Sequence, residues 1–151
     1  MFLTGHAAVG VAAATALTKD PTMAFIIGLV SHYAADLVPH GDEEAGDWTK
    51  KGNEVKRLLG ITLVDAAIWA AVLAAAFAAA GFSWTFLAAA VGSAVPDVMW
   101  GLEKTTGRRL FGPHGRFHTW NHNHFDVRMP LWTGLLLQGT VTAVLWIWVL
   151  S

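Results

Sequence analysis

The chain has 151 residues, 54% of them hydrophobic and 14% charged, with a mean hydropathy of +0.46; that lies outside the usual range of a soluble domain of this size and indicates a small integral membrane protein. A formal net charge of −1 gives no case for binding a polyanion, so no nucleic-acid partner is expected. Cysteine is absent, which excludes disulfides, a thiolate nucleophile and thiolate ligation, and leaves His, Asp and Glu for any metal.

At the start, MFLTGHAAVG lacks a basic region and places a histidine where an apolar core should begin, so a cleavable signal peptide is not expected. The first apolar segment, residues 3–18, is short and rich in Ala and Gly, and TKDPT ends it. Asp20 and Pro21 then open a second segment through Val38, in the order of an N-cap followed by Pro at the first helical position; Pro39 closes it. A polar stretch, HGDEEAGDWTKKGNEVKR, leads to the third segment, residues 58–81, the longest of all. The tight link GFSW precedes the fourth, residues 85–102. A basic, His-rich loop spans 103–128, and the last segment runs from Pro130 to Leu150.

A spanning helix needs about 20 apolar residues, with a range of roughly 17 to 25. The third and fifth segments meet this; the others are short, and small residues let short helices pack closely in lipid. The expectation is an all-α integral membrane bundle of about five transmembrane helices with a His-rich cytoplasmic loop, forming one membrane-embedded domain over 1–151. With five crossings, nine of the ten Lys and Arg residues fall on one side: Lys50, Lys51, Lys56, Arg57, Lys104, Arg108, Arg109, Arg116 and Arg128. The positive-inside rule makes that side, with the N-terminus, cytoplasmic in a bacterial-type inner membrane.

His6, His32, Asp36, Asp65 and Asp97 all fall near that face, on four different helices. His32 and Asp36 are four apart and project from one helix face. A carboxylate at the bilayer centre costs about 2.5–3.5 kcal/mol on insertion scales, less near the interface, and several together repel. A divalent cation cancels that charge and takes up the lone pairs of a mixed His/Asp set. Other readings stand beside this one. His6 alone suits an interface, and His32 with Asp36 suits a neutral hydrogen bond between helices. Asp65 can cap a neighbouring helix or pair with Arg57, and Asp97 can satisfy the backbone freed by Pro96.

The segment GPHGRFHTWNHNHFDVR adds His114, His118, His122, His124 and Asp126. His114, His118 and His122 are each four apart, which lines them up on helical turns. Such a segment is either solvated surface or a cover that lends the membrane site ligands or a general acid. Arg116 and Arg128 beside it suit an anionic group such as phosphate.

The early TGH, SHYAADLVPHGD with its HxxxD core, the aspartate of the third helix and GSAVPD in the fourth together resemble the small membrane-bound metal-dependent hydrolases known as LexA-binding, inner-membrane-associated hydrolases. The HxxxD element also resembles a ligand pattern of the helical zinc-dependent phospholipases C and related nucleases. The resemblance runs over about residues 4–126. It implies His6, His32, Asp36, Asp65 and Asp97 as metal ligands, with His40 and Asp42 as additional ones, and hydrolysis of a phosphoester. One or two divalent ions are implied, zinc first, with manganese or iron as alternatives.

For such an enzyme, Asp42 or His118 is the expected general base or acid, and Arg116 and Arg128 the expected substrate contacts. Depth at the headgroup level points to a membrane lipid or lipid-linked phosphate. The alternative is a non-enzymatic membrane subunit, alone or as a homo-oligomer or with a partner subunit, whose His/Asp site or network is structural. Eight Trp residues are many for this length, but Trp84, Trp100, Trp132 and Trp148 sit near helix ends where an aromatic belt places them. An ion or proton carrier ranks last, since the non-cytoplasmic half is almost wholly apolar.

Overall fold

The structure, a computed structural model, describes residues 1–41, 43–125 and 127–151. The described residues form seven helices and no strand: α1 (Leu3–Leu17), α2 (Pro21–Asp36), α3 (Glu43–Lys50), α4 (Glu54–Ala80), α5 (Trp84–Thr106), α6 (His114–His122) and α7 (Leu131–Leu150). The all-α expectation holds, with two additions. Both polar stretches read as connections contain a short helix, α3 in the first and α6 in the His-rich one.

Local chemistry sets the helix starts. Asp20 accepts the Met23 N–H at 2.8 Å with Pro21 in the first turn, Asn53 accepts the Lys56 N–H at 3.0 Å, and Ser83 caps α5 through Phe86. Two helices are capped from elsewhere in the chain. Asp65 of α4 accepts the Leu3 N–H at 2.6 Å at the start of α1, and Glu44 of α3 accepts the Leu131 N–H at 2.9 Å at the start of α7.

Three helices, α4, α5 and α7, are long and apolar enough to cross a membrane. With 15 and 16 residues, α1 and α2 rise about 22–24 Å at 1.5 Å per residue. Small residues make up much of the core, and many large apolar residues face outward. Ala, Gly, Ser, His and Asp fill the inside, while Leu63, Val64, Ile68, Leu136, Val144 and Ile147 face outward.

The packed centre is the trio α1, α2 and α5. Small residues bring these backbones into contact: a Cβ on Gly28 would collide with the Ala89 carbonyl, and one on Gly92 with the Phe25 carbonyl. In α5, Pro96 leaves the Gly92 carbonyl without its usual helical donor. Next to α1 lies α7, while α4 buries only Leu73 and Ala76, both in its second half. One end of the bundle thus gathers the starts of α1, α4 and α7, the ends of α2 and α5, and both short helices.

Candidate metal centre

At that end, the four-residue spacing of His32 and Asp36 on α2 puts Nε2 of the imidazole 3.2 Å from Asp36 Oδ2. Because the Gly28–Ala89 contact presses α2 onto α5, His32 Nδ1 reaches the Ser93 carbonyl at 2.8 Å. Donating Nδ1–H there leaves the Nε2 lone pair aimed inward, the orientation that a metal-ligating imidazole takes from its backbone partner. His6 arrives from α1 stacked on His32, ring centroids 3.9 Å apart, with Nε2 at 3.2 Å from Asp36 Oδ1 and 3.9 Å from Asp97 Oδ2.

Helix α6 closes the cluster from the side. His118 Nε2 lies 3.1 Å from Asp97 Oδ1, 3.2 Å from His32 Nε2 and 3.7 Å from Asp36 Oδ2. One turn on, His122 Nε2 is 3.1 Å from His40 Nε2. His40 in turn hydrogen-bonds the Val38 carbonyl through Nδ1 at 2.6 Å, which again turns Nε2 inward. The amino group of Met1 stands 3.2 Å from Asp36 Oδ1 and touches His40. Asn121 ties α6 down by donating to the Tyr33 carbonyl at 2.9 Å.

Among the described residues, three groups could hold a metal ion: His6, His32 and Asp36; His32, Asp97 and His118; and Asp36, His40 and His122. The groups are not independent. His32 belongs to the first two and Asp36 to the first and third, so the three make one continuous strip across the end of the bundle.

The donor set fits a cation on two counts. A tetrahedral ion with bonds near 2.1 Å separates its ligand atoms by about 3.4 Å, and cis positions of an octahedron by about 3.0 Å; within each group the ligand atoms lie within 4.8 Å of one another, the nearest His–Asp pairs at 3.1–3.2 Å. In addition, His6 Nδ1, His6 Nε2 and Asp36 Oδ2 are buried and make no hydrogen bond. Nitrogen lone pairs and carboxylate oxygens that face one another in a dry interior repel unless a cation or a proton lies between them.

Burial is uneven. His6, His32, Asp36, His40 and His118 are each at most 4% exposed, whereas the Asp97 side chain is 26% exposed. A polar cavity of about 40 Å³ adjoins Asp36, His40 and His122 on the other side, with Arg128 at its wall.

Of the ligands expected from the sequence, His6, His32, Asp36, His40 and Asp97 come together. Asp65 does not join them, and here the expectation is corrected. Its carboxylate takes the Leu3 N–H and the Thr4 hydroxyl, the latter at 2.9 Å, and so serves as the cap of α1 that was the other reading of this residue. His118, expected as a general acid or base, stands at ligand distance from Asp97 and His32. Asp42 lies outside the described residues. Arg128 is ion-paired with Asp47 at 3.2 Å; Lys50 first, and then Arg128, hold the Asp47 carboxyl below the usual carboxylate range. Arg116 is exposed and lines a groove of about 570 Å³ together with Lys104, Arg108 and Arg109.

The sequence did not single out His122 from the other histidines of its segment, nor Gln138. Gln138 accepts the Phe2 N–H at 2.9 Å and donates to the His40 carbonyl at 2.6 Å, bracing the wall of the cluster. A lone amide in an otherwise apolar helix was the signal for it. His114 bonds the Tyr33 hydroxyl at 3.1 Å, and burial, then the neighbouring His118, keep its imidazole below the ordinary histidine range.

No protein-family model, curated protein or solved structure matches this chain.

Proposed function

We propose that the chain is a membrane-embedded, metal-dependent hydrolase acting on a phosphoester at the headgroup level. The observation that carries this reading is the buried convergence of His32 Nε2, Asp36 Oδ2, His118 Nε2 and His6 Nε2, unsatisfied by hydrogen bonds at His6 and Asp36 Oδ2, beside the partly exposed Asp97. In this reading His6, His32, Asp36 and Asp97 hold one divalent ion, zinc first for a His/Asp set, and His40 and His122 with Asp36 offer a second position, while His118 stays free of the ion as an acid or base. A bound ion of this kind lowers the pKa of its water to about 7 and polarises a phosphoryl oxygen.

The chain's own residues supply the rest. Carbonyl bonds from Ser93 and Val38 fix the tautomers of His32 and His40, and Asp36, shared by two groups, ties the positions together. Hydrolysis forms a bond from water oxygen to phosphorus and breaks the ester P–O bond; the departing oxygen takes a proton. His118, at the edge of the cluster nearest Asp97, is placed to give it. The activity is the one implied by the resemblance of the TGH and HxxxD elements to inner-membrane hydrolases.

The same reading takes α1 and α2 across the bilayer with the three longer helices. At about 22–24 Å they fall short of a 30 Å hydrocarbon core, a mismatch that local thinning and close small-residue packing accommodate. Nine of ten Lys and Arg then face the cytoplasm.

Purified protein loaded with zinc or manganese should hydrolyse p-nitrophenyl phosphate or its diester, lose that activity to a chelator, and lose it in Asp97→Asn with the fold retained. Loaded protein inert on both compounds would contradict the reading. A second reading follows from the depth of the cluster: the His/Asp network joins α1, α2, α5 and α6 structurally, in a subunit without enzymatic activity. In that case a chelator leaves the melting temperature unchanged, while Asp36→Ala unfolds the bundle.

A further inference from the structure

Of two cavities that border the cluster, the larger lies at Asp97. Beside α4 and α5 runs a cleft of about 270 Å³, lined by Leu58, Leu59 and Ile61 of α4 and by Val98 and Leu102 of α5, with Asp97 in its wall. It lies where α4 stands off α5: at the level of the cluster α4 is held to α1 by the Asp65 cap, and its buried residues, Leu73 and Ala76, lie farther along the helix. Asp97 is also the most exposed acid of the site. The partly exposed acid of the cluster therefore meets a largely apolar cleft between α4 and α5, whose wall also carries Asp65 and the N-terminal residues Met1 and Phe2.

Two neighbouring features fit the same ligand. Trp100 lines both this cleft and the basic groove of Lys104, Arg108, Arg109 and Arg116. A tail-side apolar surface, an aromatic residue and four cations follow one another, as the hydrocarbon, interface and anionic headgroup of a lipid do. On the far side of the cluster the cavity of about 40 Å³ at Asp36, His40 and Arg128 has room for water and little else.

We infer that the α4–α5 cleft is the way in for a membrane phospholipid, whose phosphate reaches the cluster at Asp97 while the upper part of one acyl chain lies between the helices. Water reaches the cluster separately, past Arg128. The substrate class is thus a lipid phosphoester taken from the bilayer, and a narrow cleft of about 270 Å³ suits one unbranched chain better than a branched polyisoprenoid. This rests on the hydrolase reading for its chemistry but not for its binding.

Gly101 supplies the test. It lines the cleft, and a Cβ placed there meets nothing within 4 Å, so Gly101→Leu fills the cleft without disturbing the fold. Gly60, on the opposite side of α4, borders a separate groove and is equally open, which makes Gly60→Leu the control. In nanodiscs, a phosphatidic acid carrying a diazirine in its acyl chain should label α4 and α5 at the cleft in the wild type. Gly101→Leu should lower that labelling, and turnover of phosphatidic acid, by about tenfold or more. The metal content should stay unchanged, and Gly60→Leu should behave as wild type. Leu102→Trp, which fills the same space from a neighbouring position, should reproduce the loss. Labelling absent from the cleft, undiminished in Gly101→Leu, or outcompeted by a polyprenyl phosphate would overturn the inference. Cleft labelling by phosphatidic acid without hydrolysis of any phosphoester would uphold it and sink the hydrolase reading instead.

Discussion

The α2–α5 seam and the first half of α4 are built on opposite terms. Along the seam, Gly28 and Gly92 let two backbones touch, and two of the cluster's imidazoles are fixed by backbone carbonyls: His32 by Ser93 and, just past α2, His40 by Val38. Along α4, Leu59, Leu63, Val64 and Ile68 point outward and no residue before Leu73 is buried. Polar ligands are held where packing leaves no slack, whereas on the side through which a lipid would pass the Asp65 cap, not packing, ties α4 to α1. The difference follows from side-chain size: glycine and alanine bring helices together in lipid, whereas a helix apolar on every face has no preferred partner.

That contrast is broken most severely at Gly28. Gly28→Leu must push α2 off the Ala89 carbonyl, at a cost of about 3 kcal/mol or more. The thermal midpoint in detergent should fall steeply and bound metal should be lost with it. Asp65→Ala removes the cap of α1 without touching the strip of ligands; it should cost about 1–2 kcal/mol and leave metal content intact, which separates capping from ligation at this residue. On the loose side the sign reverses. Gly60→Ala meets no neighbour and should stabilise by about 0.5–1 kcal/mol through helix propensity alone.

The smallest effect belongs to the exposed pair at the mouth. Asp47→Asn should leave the melting temperature unchanged within error, because Lys50 and Arg128 are well solvated. The direction is still defined: a carboxyl held below its usual range adds stability above its ordinary pKa and loses it as the pH falls through that range. A melting curve of Asp47→Asn that separates from wild type at neutral pH would mean that the α3 region carries more of the fold than its exposure implies.

What could be read from the sequence follows the same division. Asp20–Pro21 announced the start of α2, HxxxD announced a shared helix face, and an aspartate after Pro96 announced a polar spot in α5, since each is a local pattern with a local physical cause. The cap role of Asp65 was legible only as one of several readings, because which helix start lies opposite a carboxylate is a matter of tertiary packing. Helices α3 and α6 were hidden for a related reason. Both are short and polar, and docking holds them, through Glu44 at Leu131 and Asn121 at Tyr33. His118 and His122 looked like their neighbours in sequence; the face of α6 turned to the cluster distinguishes them. The loose stance of α4 left no trace, since a helix apolar all round shows no stripe from which to read a packed side.

The central claim is that the strip of His and Asp residues holds a metal, and elemental analysis of the detergent-purified protein tests it most directly. Wild type should carry at least one equivalent of a divalent ion per chain, and a His32→Ala, Asp36→Ala double variant should carry none while Asp65→Ala keeps it. Wild type that takes up no zinc, manganese or iron even after reconstitution would contradict the account and leave the strip as a proton-shared network that fastens the bundle.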